Sequence, residues 1–139
     1  MPQYLYVDQG EYFITTDSKT TLVTTGMTDC IAMAFVDKND KACRLLVHLD
    51  GFILNSEENA TANLKMIKEK FIFQTKSQDF DIYIFGGQKQ FRNYKILRPV
   101  LDALDMQTDN ITDVNELCGQ LGSARLFSPS NVCYNDLSC

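Results

Sequence analysis

The 139-residue chain holds one histidine, His48, and no two cysteines at CxxC spacing. Its five cysteines are Cys30, Cys43, Cys118, Cys133 and Cys139. A structural zinc site would need thiols to converge that this spacing does not bring together, so no metal is expected. Cations are also in the minority: 13 Lys and Arg stand against 18 Asp and Glu, for a net charge of −5 and a pI near 4.7. Nucleic acid and anionic membrane surfaces want clustered Lys and Arg, and here they are scattered, so neither partner is expected. No apolar run approaches the roughly 20 residues of a membrane-spanning helix. Met1-Pro-Gln-Tyr-Leu-Tyr-Val7 lacks the basic and long apolar regions of a signal peptide. An odd cysteine count without a disulfide framework implies free thiols and a reducing cytoplasm. No linker or internal repeat divides the chain, so residues 1–139 read as one domain.

What is present is a succession of strands and two helices. Glu11–Thr16 and Thr20–Thr25 are β-prone and separated by the turn-like Asp17-Ser-Lys19. Cys30–Val36 and Ala42–Leu49 form a hairpin around the polar cluster Asp37–Lys41. Asn55 or Ser56 can cap a helix with Ala60, Leu64, Ile67 and Phe71 along one face, and Glu57 and Glu58 suit its first turn. Asp81–Phe85 is a strand stopped by Gly86-Gly87. A second helix, roughly 90–104, carries Phe91, Tyr94, Leu97, Leu101 and Leu104, and Pro99 should kink or split it. The tail ends in a hairpin, Ala124–Phe127 with Val132–Tyr134. Strands in excess with two amphipathic helices predict an α+β layered domain, mainly antiparallel sheet or sandwich covered by the helices.

The chemistry sits in the first hairpin. Folded symmetrically about Asn39, it places Cys30 opposite His48 and Ala32 opposite Leu46. Directly opposed side chains share a face with Cβ atoms about 5 Å apart, so a thiol and an imidazole can meet. That pair is the minimum apparatus for a thiolate nucleophile. A buried core cysteine is the structural alternative, since free cysteine packs as a small hydrophobe. Ahead of Cys30, Gly26 permits a sharp turn that would present the cysteine with neighbouring N–H groups aimed at a pocket, the makings of an oxyanion hole. An ordinary β-turn has the same shape.

Thr24-x-Gly26-x-x-x-Cys30, followed by a strand and a histidine after a polar turn, resembles the chemoreceptor glutamine deamidases, the CheD family. Val7-x-x-Gly10-Glu11-Tyr12, Ile84-Phe85-Gly86-Gly87 and Leu121–Val132 resemble its opening strand, its I-F-G-G segment and its closing hairpin. Val47-His48-Leu49-Asp50-Gly51 is closer to the HCDG-type segment of protein N-terminal asparagine amidohydrolases. A Cys/His pair of this kind is also similar to that of cytotoxic-necrotizing-factor-type toxins. Thr28-Asp29 replaces the Gly-Ser of the CheD pattern, placing a carboxylate beside the cysteine. The H-x-M-L-P continuation is absent.

The resemblance implies a cysteine amidohydrolase that needs no cofactor. Cys30 would be the nucleophile, His48 the general base and Thr24 the group orienting the imidazole. Backbone N–H groups around Gly26, Asp29 and Cys30 would hold the oxyanion. Asp50, Gly86 and Gly87 would line the substrate pocket, with Asp50 a rival orienter of His48. The implied substrate is a glutamine or asparagine carboxamide of a protein, either a chemoreceptor or a host protein if the chain is a delivered effector. An N-terminal asparagine amidohydrolase is the alternative, and Asp29 or Asp50 would suit recognition of its free α-amino group. A catalytically inactive binding module of the same fold is a third reading. Two weaker signals are the GGQ tripeptide Gly86-Gly87-Gln88, better read as a strand-ending turn, and the oxygen-rich Asp105–Glu116, better read as a solvated loop than as an EF-hand.

Overall fold

The computed structural model describes residues 3–24, 30–86 and 92–106, together with three later strands. The elements run β1 (Gln3–Tyr6), β2 (Tyr12–Thr15), β3 (Thr20–Thr24), β4 (Ile31–Asp37), β5 (Arg44–Leu49) and a short 3₁₀ turn at Ile53–Asn55. Helix α1 (Glu57–Thr75), β6 (Phe80–Gly86), α2 (Arg92–Ala103), β7 (Ile111–Asp113), β8 (Ala124–Phe127) and β9 (Val132–Asn135) follow. The strands form two sheets, one ordered β1-β3-β9-β8 and the other β2-β5-β4-β6-β7. The domain is therefore α+β, as its element pattern predicts.

Strands β4 and β5 lie at the centre of the larger sheet, and every residue in both is buried. Burial on both faces explains why they read as near-continuous apolar runs. Ile31, Met33 and Phe35 of β4 join Leu45, Val47 and Leu49 of β5 in a core shared with Leu64, Ile67 and Phe71 of α1 and Leu97, Val100 and Leu101 of α2. Phe35, Phe71 and Phe80 pack with ring centroids 5.0–5.6 Å apart, tying α1 to the sheet. The other face carries a smaller cluster of Cys30, Ala32, Ala34 and Leu46 with Val7 and Leu22. Short side chains at Ala32 and Ala34 let the strand bearing Leu22 come close on that side.

Helix α1 forms where its cap and stripe place it. Ser56 Oγ accepts from the Asn59 N–H at 3.1 Å, and its buried residues are Ala60, Leu64, Ile67 and Phe71. Helix α2 differs from expectation: it runs through Pro99 without splitting. Pro99 is exposed while Leu97, Val100 and Leu101 are fully buried, so packing offsets the hydrogen bond that proline removes. Phe91 and Tyr94 lie outside the described side chains. The terminal hairpin forms, with Phe127 opposite Val132.

Strands β2 and β3 do not pair; β2 lies against β5, and β3 crosses to the other sheet between β1 and β9. In the β4–β5 hairpin, His48 opposes Ala32 rather than Cys30, and Leu46 opposes Ala34. The six residues 38–43 form a longer turn than a symmetric fold about Asn39 requires. The displacement is two residues, an even number, so Cys30 and His48 keep a common face as diagonal neighbours.

Candidate active site

His48 is the last residue of β5 on the face that carries Arg44 and Leu46. Two backbone bonds hold it: its N–H donates to the Glu11 carbonyl at 3.0 Å, and its carbonyl accepts from the Gly10 N–H at 2.9 Å. Thr24, at the end of β3, belongs to the other sheet. Its Oγ1 lies 2.7 Å from the imidazole Nδ1 and 2.7 Å from the Val7 carbonyl oxygen. The contact therefore spans the two sheets, and Val7, directly after β1, is itself held to β3 by its N–H to Val23 carbonyl bond at 2.7 Å.

This arrangement selects the histidine tautomer. A threonine hydroxyl has one proton, and a carbonyl oxygen can only accept, so that proton goes to Val7. The imidazole must then carry its own proton on Nδ1 and donate it to Thr24 Oγ1. Nε2 is left as the basic nitrogen. Burial pushes the His48 pKa below its usual 6.5, while the negative charges of Asp50 and Asp8 pull in the opposite direction; desolvation wins. Burial therefore favours the neutral ring, the state a base requires.

Cys30 stands immediately before β4, packed with Ala32 and Leu46. It is 5% exposed, and Thr24 and His48 are each 1% exposed, so all three groups lie in the interior. Contrary to the free thiols expected from the cysteine count, the Cys30 sulfur is engaged in a disulfide. Cys43 is the free cysteine among the described residues, and it is buried. Its thiol donates to Asp40 at 3.6 Å, and burial together with that carboxylate raises its pKa, making it an unreactive thiol.

Of the pocket residues expected from the sequence, Gly86 ends β6 directly opposite Ile31, one position from Cys30. Asp50 Oδ1 accepts from the N–H groups of Phe52 and Ile53, both at 3.0 Å, and fastens the turn leaving β5. Thr24 takes the Nδ1 position for which Asp50 was the rival. Gly26, Asp29 and Gly87 lie outside the described residues. Sequence reading gave no role to Val7, Gly10 and Glu11, whose backbones hold Thr24 and His48. Their signal was present in the Val7-x-x-Gly10-Glu11 pattern, but backbone contacts leave no side-chain chemistry to read.

A model of the family described as protein N-terminal asparagine amidohydrolase matches residues 1–124, most of the chain and every described site residue. The chain belongs to the protein N-terminal asparagine amidohydrolase family. This is a family of amidohydrolases. No curated protein matches the chain. Among the described residues no His, Cys, Asp or Glu cluster is arranged to hold a metal ion, and no helix is long and apolar enough to cross a membrane. A half-open cleft of about 250 Å³, lined by Lys68, Ile72, Phe80 and Met106 among others, contains none of these site residues.

Proposed function

We propose that this protein removes ammonia from the side-chain carboxamide of an N-terminal asparagine, using Cys30 as nucleophile, His48 as general base and Thr24 as the group that orients it. The observation that carries the proposal is the Thr24–His48 contact at 2.7 Å, which places the proton of the neutral ring on Nδ1 and leaves Nε2 as its basic nitrogen. Family membership favours N-terminal asparagine over the internal glutamine of the CheD resemblance.

The disulfide comes first. Two equivalents of a thiol reductant return Cys30 and its partner to thiols, and the reductant leaves as its own disulfide. His48 Nε2 then takes the Cys30 proton, and the thiolate attacks the carboxamide carbon to give a tetrahedral oxyanion. Backbone N–H groups at the start of β4 support that charge; loss of one such donor typically costs about 10²–10³ in rate. The oxyanion collapses as imidazolium gives its proton to departing ammonia, leaving a thioester. A water deprotonated by His48 hydrolyses the thioester, releasing aspartate and restoring the thiol.

The test is ammonia release by reduced protein from three peptides alike except for an N-terminal Asn, an N-terminal Gln or an internal Gln. The expected result is turnover of the first alone, abolished in Cys30→Ala and in oxidised protein. Turnover of internal Gln would move the substrate to the CheD-like reading. No turnover of any peptide, with the fold intact, would reject the enzyme in favour of a binding module.

A further inference from the structure

Asp50 lies two residues beyond His48, and its carboxylate joins two structures that meet there. Oδ1 holds the Phe52 and Ile53 N–H groups, and the Asp50 carbonyl accepts from Leu54 at 3.0 Å, so the turn after β5 is wound around this residue. Oδ2 points the other way, toward Gly10. A Cβ built on Gly10 would stand 3.0 Å from it, and Gly10 has φ +79°, a conformation that disfavours side chains. Gly10 in turn donates its N–H to the His48 carbonyl. Carboxylate, glycine and histidine backbone thus form one interlocked corner.

We propose that Asp50 is a positioning residue for His48: it locks the corner that holds the imidazole's backbone and supplies the fixed negative charge that stabilises the imidazolium formed when Cys30 is deprotonated. The proposal rests on the Cys30–His48 reading above. Two carboxylates act on this imidazole among the described residues, and they differ in rigidity. Asp8, from the β1–β2 connection, is exposed, and solvent screens it. Asp50 is half-buried and pinned by two backbone donors. Among the described residues that face also carries Cys30 ahead of β4, the Tyr83 phenol of β6 and the Arg44 guanidinium of β5. The hydroxyl of Thr24, from β3, is uncharged. A carboxylate held in place costs no reorganisation when charge develops, which is why a fixed group outweighs a mobile one.

Because His48 is the only histidine, its ring proton resonance reports this site without ambiguity. The experiment follows that resonance against pH in the reduced full-length chain, in wild type, Asp50→Asn and Asp8→Asn, alongside the rate of Cys30 alkylation by iodoacetamide. Asparagine retains an oxygen for the Phe52 and Ile53 N–H groups but carries no charge. In Asp50→Asn the His48 midpoint should move to lower pH, further than in Asp8→Asn, and alkylation at neutral pH should slow about tenfold. A midpoint and alkylation profile unchanged from wild type would overturn the proposal and leave Asp50 as a turn cap only. Should Asp50→Asn fail to fold, Gly10→Ala keeps the charge but drives it from the corner. The same downward shift then supports the proposal, and an unchanged midpoint overturns it. Neither readout needs a peptide substrate, so the function proposed above can fail while this assignment stands, and the reverse.

Discussion

At the residue scale, the most informative group is Thr24, because one hydroxyl proton decides which nitrogen of the neutral imidazole carries its hydrogen. Its donation to Val7 obliges His48 to carry the proton on Nδ1. Thr24→Ser keeps the hydroxyl and should retain most activity. Thr24→Val keeps the shape, removes the acceptor and leaves a buried Nδ1–H without its partner, a loss of about 1–3 kcal/mol. Asparagine-peptide turnover should fall about 10²-fold or more in Thr24→Val while the far-UV circular dichroism of the two variants agrees. Equal activity in both variants would remove Thr24 from the site. The pairing of Thr24 with His48 was legible in the sequence only through the resemblance. Nothing in residue spacing links position 24 to position 48, since they lie in different sheets.

At the element scale, local physics and tertiary context divide the outcome. The first helix is almost wholly local: Ser56 caps it and four residues at helical spacing are its buried ones. Ser56→Ala should lower stability by about 1 kcal/mol, and Phe71→Ala by about 3–5 kcal/mol, because Phe71 fills the space between Phe35 and Phe80. Urea unfolding of the two variants measures both, and a Phe71→Ala cost no larger than that of Ser56→Ala would contradict the packing described here. The second helix shows tertiary override, since Leu97, Val100 and Leu101 keep it continuous through Pro99. The first hairpin shows a subtler failure of local reasoning. Its turn length sets the register, and polar residues 38–43 allow more than one apex. The face assignment survived because the displacement was even.

At the scale of the whole molecule, pH acts through a single buried imidazole. Folding lowers the His48 pKa, so between that value and 6.5 the unfolded chain binds more protons than the folded one. Stability therefore rises with pH across that window and is lost as pH falls below about 6.5. Thermal unfolding midpoints measured between pH 7.5 and 5 should decline, and His48→Asn should flatten the decline. An equal slope in both proteins would assign the effect to carboxylates instead. The same scale exposes Arg44, which lies on the His48 face of β5 and is 1% exposed. Its Nη1 donates to the Asp17 and Ala42 carbonyls at 3.2 and 2.7 Å, while Nε and Nη2 find no hydrogen-bond partner among the described residues. A half-satisfied buried charge is costly, so Arg44→Met should be neutral or raise the melting temperature, whereas Arg44→Ala, which leaves a cavity, should lower it.

The sequence alone determined the features that depend on near neighbours: the α+β class, the cap and face of α1, and the terminal hairpin. Each follows from side-chain periodicity or turn chemistry over a few residues. Only the tertiary structure decided that β2 and β3 part into different sheets, that the second sheet brings Thr24 onto His48, and that backbone groups of Val7, Gly10 and Glu11 hold the pair. It also decided the state of Cys30, because disulfide formation depends on which sulfur the fold brings within reach, and cysteine count carries no such distance. Interactions between distant segments are fixed by the packing of whole faces, which no local pattern encodes.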